Sequence, residues 1–399
     1  MSPRRRATPL NGLPRLEDLP DVDGRRVLIR VDFNVPLAHD EHGARVVADD
    51  FRMRVAEPTL RWLLEAGAEV TACSHLGRPK DRPDPEWDMA PVRARLAELV
   101  PGVALTDNLR FDPREKANDP TFVDELVAGF DAYVNEAFGV SHRSHASVVG
   151  PPTRLPSAAG RRLAREVEVI GGLLDEPTRP FVAVVGGSKV ADKLGVLTAL
   201  CDLADVIAIG GAMAFTFLAA MGYDVGASMV DLSKVEDCRT LLGSGANIVL
   251  PTDVVALEPG GIFGEAANQE PGPHGEAKTL GRDLPDGWCG LDIGPESQAL
   301  FAEAIEHAGT VLWNGPLGVF EDNRFCAGTA RVAEAVAACP GFTVVGGGDS
   351  VSALDHLGLA DRVDFVSTGG GASLELVERG DLPGLAALRG AANAPTPVR

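Results

Sequence analysis

One three-part unit recurs along the whole of this chain: a short apolar run, a turn rich in glycine or asparagine, and an amphipathic helix. Strands that alternate with helices in this way fold into a parallel sheet covered by those helices, so the repeat sets the fold class as α/β. In the first half, strands are predicted near 26–32, 69–74, 103–106 and 131–135, and helices near 50–66, 90–99 and 121–129. Pro58 falls inside the first of these helices and either kinks it or marks a restart. In the second half, the runs 181–185 and 206–209 lead to Gly186-Gly187-Ser188-Lys189 and Gly210-Gly211, each followed by a helix, to Leu203 and Met221. The runs 311–313, 342–345 and 365–366 lead to Asn314-Gly315-Pro316, to Gly346-Gly347-Gly348-Asp349-Ser350, and to Gly369-Gly370-Gly371 with a helix over 372–378.

Residues 161–174 read as a helix, followed at once by the breaker-rich Glu176-Pro177-Thr178-Arg179-Pro180. A chain of 399 residues exceeds one ordinary core, and the division is placed here. The expected architecture is two Rossmann-like three-layer α/β/α lobes with mainly parallel sheets, 1–174 and 175–387, joined by that helix as a hinge. No apolar run reaches the ~18 residues of a membrane span, which argues against a membrane partner. Met1-Ser2-Pro3-Arg4-Arg5-Arg6 lacks a following apolar segment and reads as a disordered extension, and 390–399 reads as an extended tail. The six cysteines are scattered without a C-x-x-C, which points to free thiols in the cytoplasm.

The charge balance sharpens the functional reading. With 37 Lys+Arg against 57 Asp+Glu, the net charge of −20 argues against a nucleic-acid partner. It also means that any anionic ligand must be met by locally concentrated positive charge. Arg78, Arg110 and Arg143 each follow a predicted strand, and Arg52 lies a loop beyond the first one. Open α/β sheets bind ligands beyond the carboxyl ends of their strands, and guanidinium forks match phosphate and carboxylate. Together with His75 these arginines predict a pocket for a small acid carrying both groups.

The second half offers different chemistry. Glycine between strand and helix exposes backbone N–H groups that bind anions, and the half contains four such turns, at 186–187, 210–211, 346–348 and 369–371. That number favours a nucleotide-phosphate or phosphoryl site. The chain has no G-x-x-x-x-G-K-[ST], no H-R-D with D-F-G, and no G-x-G-x-x-G after its first strand. Lys189 and Lys193, read as i and i+4 on one helix, are either a solvated face or a phosphate clamp. Asp349 either caps a helix or holds Mg²⁺ through one carboxylate, and Glu321 is either a surface acid or a ribose acceptor.

At this point the motifs resemble one family, the phosphoglycerate kinases. The matching stretches are Arg30-Val31-Asp32-Phe33-Asn34-Val35-Pro36, Ser74-His75-Leu76-Gly77-Arg78-Pro79, Asn108-Leu109-Arg110-Phe111, and Ala137-Phe138-Gly139 with His142-Arg143. The second half adds Gly186-Gly187-Ser188-Lys189-Val190, Leu291-Asp292-Ile293-Gly294-Pro295-Glu296, Trp313-Asn314-Gly315-Pro316, Gly346–Ser350 in full, and Ser367-Thr368-Gly369-Gly370-Gly371-Ala372-Ser373. They run in the family's order from about 16 to 388. The resemblance implies reversible phosphoryl transfer between 1,3-bisphosphoglycerate with Mg-ADP and 3-phosphoglycerate with Mg-ATP, on closure of a monomer's two lobes.

It also implies roles. The glycerate is held by Asp32, Phe33, Asn34, His75, Leu76, Gly77, Arg78, Arg110 and Arg143. Arg52 reaches the transferring phosphoryl, Lys189 accompanies it, and the amides of Gly370 and Gly371 face the transition state. The nucleotide is framed by Gly187, Lys193, Gly211, Gly290, Asn314, Pro316, Glu321, Gly347, Gly348 and Ser350, with Asp349 carrying Mg²⁺. The family's C-terminal segment returns to the first lobe, which implies the same for 388–399. Two departures stand out: Glu136 occupies a position where the family usually has Asp, and the first fifteen residues have no counterpart. The alternatives are an NAD-dependent oxidoreductase and a non-catalytic nucleotide-binding protein.

Overall fold

The computed structural model describes residues 12–264, 267 and 274–392. Among the described residues, those up to Gly171 together with those from Gly371 onward form one compact unit, and those within Gly172–Gly370 form the other. The divisions therefore fall at 171/172 and 370/371, rather than at 174/175 and 387/388. The C-terminal segment joins the first unit earlier than expected because Leu382, Leu385 and Leu388 bury their side chains and Gly384 N–H donates to Ser141 O at 2.8 Å. The tail is not extended where it is described: 390–392 end the helix Pro383–Ala392. The rest of the expected tail, 393–399, and the extension up to residue 11 lie outside the described residues. Residues 12–15 are tied down, with Leu13 buried and Ala159 N–H donating to Pro14 O at 2.8 Å.

The first unit is built on β1 (Arg26–Arg30), β4 (Glu69–Cys73), β5 (Ala104–Leu105), β6 (Ala132–Asn135) and β7 (Ser157–Ala159), all parallel, in the order β5-β4-β1-β6-β7. A small antiparallel hairpin, β2 (Leu37–His39) with β3 (Arg45–Val47), interrupts the βα rhythm and has no counterpart among the expected elements. Val27, Ile29, Val70 and Val134 pack with Leu60, Leu63, Val92 and Leu96 from the helices into one core. Each such side chain contributes roughly 1.5–3 kcal/mol on burial. The expected helix 50–66 is two helices, Phe51–Arg54 and Glu57–Glu65, with Pro58 in the first turn of the second, where its missing N–H costs no hydrogen bond.

The second unit carries β8 (Phe181–Val185), β9 (Val206–Ile209), β10 (Ile248–Val249), β14 (Thr310–Asn314), β15 (Phe342–Gly346) and β16 (Phe365–Val366), all parallel, in the order β10-β9-β8-β14-β15-β16. A separate antiparallel sheet of β11 (Asp253–Leu257), β12 (Ala277–Gly281) and β13 (Cys289–Ile293) was not foreseen. Both parallel sheets reverse their strand order next to the first strand. The switch lies between β1 and β6 in one and between β8 and β14 in the other. Successive βα loops leave such a point in opposite directions and open a crevice there, so the topology marks one ligand face per unit.

Candidate active site

In the first unit every expected glycerate residue follows the carboxyl end of a strand. Asp32, Phe33 and Asn34 follow β1, His75 to Arg78 follow β4, Arg110 follows β5, and Arg143 follows β6 with His142 beside it. Backbone contacts lock the loops together. Phe33 N–H donates to Ser74 Oγ at 2.9 Å, Gly77 N–H to Asn34 Oδ1 at 2.8 Å, and Arg110 Nη1 to Gly77 O at 2.7 Å. Asn108 accepts from Leu76 N–H and donates back to Leu76 O at 2.8 Å. Gly77 has φ +61°, and a Cβ there would lie 1.9 Å from the Trp87 ring, so only glycine fits this turn.

The electrostatics are those of an anion site. Arg52 Nη1 donates to Asp32 Oδ2, while the buried Asp32 Oδ1, Arg110 Nε and His142 Nδ1 have no hydrogen-bond partner among the described residues. Arg78 and Arg143 are exposed and make no ion pair among the described residues. The histidines add no charge. Burial, then Arg30 and Arg110, hold His75 well below its ordinary value. Burial and Arg143 push His142 down to about 4, and burial with Arg110 and Arg30 does the same to His145. The positive charge thus rests on arginines alone and is independent of pH in the working range. Burial and the neighbouring Arg30 pull Arg110 below the usual arginine value, the signature of a guanidinium short of counter-charge.

In the second unit the glycine turns interlock at the switch point. Gly186 N–H donates to Asn314 O at 3.0 Å, Gly187 N–H to Pro316 O at 2.9 Å, Gly211 N–H to Leu317 O at 3.0 Å, and Gly315 N–H to Ser350 Oγ at 2.6 Å. The Lys193 ammonium lies in this cradle and donates to Gly186 O at 2.6 Å, Asn314 Oδ1 at 2.9 Å and Asn314 O at 3.1 Å. Burial pushes its pKa down to about 8, against the opposing pull of Asp349 and Asp192.

Lys189 does not share a helix face with Lys193. Residues 186–190 are loop, a single 3₁₀ turn spans Ala191–Lys193, and the helix begins only at Leu194, because the cradle holds the backbone open through Gly187 at φ +111°. Lys189 is exposed. Gly347 and Gly348 open the helix Gly348–His356, whose first turn carries the exposed Asp349. Gly290 lies in β13, donates its N–H to Ser228 Oγ at 2.9 Å, and leaves room for the Phe215 ring. Glu321 is exposed. Gly370 closes the second unit, and Gly371, at the start of the helix Gly371–Arg379, belongs to the first.

Sequence reasoning missed Arg30, Glu115 and Ser147, which are buried beneath the arginine face. The signal for Arg30 was a charged residue inside the apolar run Val27-Leu28-Ile29-Arg30-Val31. Glu136 was given no role. It is buried and caps the helix Arg161–Asp175, accepting from the Arg162 and Leu163 N–H groups and from Thr59 Oγ1.

An arginine face in one α/β unit and a lysine-centred glycine cradle in the other define a two-unit phosphotransferase. The phosphoglycerate kinase family model matches residues 16–104 and 101–380. The phosphoglycerate kinase of Rubrobacter xylanophilus is 48% identical over 392 residues, covering 92% of this chain and 96% of its own. That of Salinispora arenicola is 48% identical over 405 residues, covering 94% and 98%. The solved phosphoglycerate kinase of Coxiella burnetii superposes with a TM-score of 0.82 at 32% identity, over 96% of this chain and 100% of that one. The chain belongs to the phosphoglycerate kinase family and is a kinase, which sets aside the oxidoreductase alternative. No helix among the described residues is long and apolar enough to cross a membrane.

Proposed function

We propose that the protein transfers a phosphoryl group reversibly between 1,3-bisphosphoglycerate with Mg-ADP and 3-phosphoglycerate with Mg-ATP, with the glycerate on the first unit and the nucleotide on the second. The observation that carries this is the arginine face: an acidic protein keeps the buried, unpartnered Arg110 Nε beside Arg52, His75 and Asp32 at the ligand edge of its sheet. Arg78, Arg110 and Arg143 hold the substrate's anionic groups, and His75 adds a neutral contact. Asp32 and Asn34 address the hydroxyl and carboxyl region, with the backbone of Phe33, Leu76 and Gly77 around them. Arg52 stabilises charge on the transferring group, which Lys189 accompanies. The amides of Gly370 and Gly371 serve the same charge.

In the second unit Lys193 exchanges backbone carbonyls for nucleotide phosphates, and the turns at Gly187, Gly211, Asn314, Pro316 and Gly347–Ser350 cradle them. Gly290 and Glu321 frame the adenosine. Mg²⁺ enters with the nucleotide. Among the described residues no three Asp, Glu, His or Cys side chains converge to cage a metal, and a lone carboxylate such as Asp349 suits Mg²⁺ already carried on phosphates. The acceptor oxygen is a carboxylate, so no general base is required. Catalysis rests on in-line positioning, charge stabilisation and exclusion of water.

We place this activity in a monomer, since each substrate's residues come from one copy, and in the cytoplasm, where six unpaired cysteines stay reduced. A coupled assay with 3-phosphoglycerate and ATP, with and without Mg²⁺, tests the reading. Folded protein with no 3-phosphoglycerate-dependent turnover would return it to the non-catalytic alternative.

A further inference from the structure

Beneath the arginine face lies a buried polar chain that the reaction as described does not use. Arg30, at the end of β1, is 1% exposed, and Glu115 and Ser147 are equally enclosed. Glu115, in the helix Pro113–Ala117, accepts from Ser147 N–H at 2.8 Å and from Ser147 Oγ at 2.6 Å. Ser147 Oγ in turn accepts from Arg30 Nε at 2.9 Å, and Tyr133 Oη donates to Ser147 O at 2.8 Å. Arg30 Nη1 donates to Val31 O, which leaves Nη2 aimed at His75 Nδ1 at 3.3 Å.

A guanidinium can only donate, so Nδ1 accepts and the imidazole proton sits on Nε2. The other group facing Nδ1, Asp32 Oδ1, lies 3.9 Å away, beyond hydrogen-bond reach. We propose that Glu115 is a positioning residue of the transfer site: through Ser147 and Arg30 it fixes His75 as the neutral Nε2–H tautomer, a pure donor toward the glycerate. The inference rests on the first-unit face being the glycerate site.

The relay explains why a charged pair is buried under an already basic face. Glu115 supplies the negative charge that lets Arg30 remain buried, reached through one hydroxyl. Burial first, then Arg30, Arg110 and Arg52, disfavour a second proton on His75. A protonated His75 would donate from both nitrogens and repel Arg30. The neutral tautomer offers one directed N–H to an anionic or hydroxyl oxygen and keeps the other nitrogen occupied from below. Outer hydrogen bonds that set a histidine's tautomer serve the same purpose at metal sites.

The test is ¹⁵N NMR of the histidine side chains in the full-length protein, with kinetics on the same samples. Wild type should give His75 one pyridine-like nitrogen, Nδ1, and one pyrrole-like nitrogen, Nε2, unchanged between about pH 6 and 8. The pyrrole-like nitrogen should shift on adding 3-phosphoglycerate.

Ser147→Ala removes only the linking hydroxyl, and Glu115→Gln keeps shape while losing charge. Each should mix or reverse the tautomer and lower kcat/KM for 3-phosphoglycerate by roughly ten- to hundredfold, as loss of an outer hydrogen-bond partner does elsewhere. KM for Mg-ATP should not move, whereas a merely structural loss would change both substrates and the melting temperature together. If Glu115→Gln fails to fold, Ser147→Ala decides alone. A His75 protonated on Nδ1, or an unchanged tautomer and kcat/KM in Ser147→Ala, overturns the relay. A correct tautomer whose nitrogens ignore 3-phosphoglycerate overturns the glycerate reading of this face and reduces the relay to a feature of the fold.

Discussion

Arg52 Nη1 is hydrogen-bonded to Asp32 Oδ2 across the loop that follows β1, so the arginine assigned to the transferring phosphoryl is already held by a carboxylate. Asp50, which precedes the helix Phe51–Arg54, accepts from Arg95 Nη2 at 2.6 Å and from Arg54 Nε at 2.7 Å and pins that short helix to its neighbour. Position is therefore set before substrate arrives, as electrostatic catalysis requires. Replacing Arg52 with Ala should lower kcat by roughly 10²-fold or more, with a smaller change in KM for 3-phosphoglycerate. Steady-state kinetics checks it; an unchanged kcat with only KM raised would sink the role.

Lys193 gives nucleotide binding a pH dependence. Its pKa in the free protein is pushed down to about 8 by burial, and the phosphates need its charged form. Affinity for Mg-ADP should be flat below pH 7 and weaken as pH rises through 8, reaching about a tenfold loss near pH 9. Titration calorimetry across that range reads it directly. Lys193→Met should bind weakly at every pH and show no such slope.

Two buried carboxyls should make the free protein less stable as pH rises. Burial raises Glu136 from its ordinary 4.5 to about 7 in the first unit, and Asp292 from 3.8 to about 7 in the second. A carboxyl that binds its proton more tightly when folded costs nothing below its unfolded pKa. It costs increasingly as pH climbs to the folded value and a constant amount above. For Glu136 that is roughly 3 kcal/mol between pH 4.5 and 7. Melting temperatures should fall between pH 5 and 7 and level off beyond. Glu136→Gln should flatten the part of the slope that belongs to the first unit; a slope identical to wild type would show the charge to be elsewhere.

Asp349 is exposed and makes no ion pair among the described residues, acting on Lys193 only at a distance, so its replacement tests the metal assignment without disturbing a core. Asp349→Asn should raise the Mg²⁺ concentration needed for half-maximal activity by about tenfold or more, the value of one charge-assisted contact. KM for 3-phosphoglycerate should stay put. A Mg²⁺ response like that of the wild type would assign the ion to other ligands.

The sequence made most strands of the two parallel sheets legible as apolar runs closed by a glycine or asparagine turn; the short edge strands β7 and β10 were not among those expected. The hairpin at 37–47 and the antiparallel sheet at 253–293 were not foreseen, although Val254–Leu257 is itself an apolar run closed by Gly260, because the sequence after it shows no amphipathic helix to complete the repeating unit. Lys189 was misplaced for a specific reason: a lysine spacing of four fits a helix, but Gly187 and the carbonyls that hold Lys193 delay the helix to Leu194. The strand-end arginines were readable from position alone. Glu115 and Ser147 were not, and Arg30 showed only as a charge inside an apolar run, since what unites the three is contact between β1 and two short helices distant in sequence.

The most direct test of the account is to titrate each substrate separately into two variants by calorimetry. Arg110→Ala should lose 3-phosphoglycerate binding and keep Mg-ADP binding within about twofold, and Lys193→Ala should do the reverse. Two folded variants showing those opposite losses would establish one substrate per unit. If Arg110→Ala binds 3-phosphoglycerate as well as wild type, or if either variant loses both ligands while keeping its melting temperature, the assignment of the two faces is wrong.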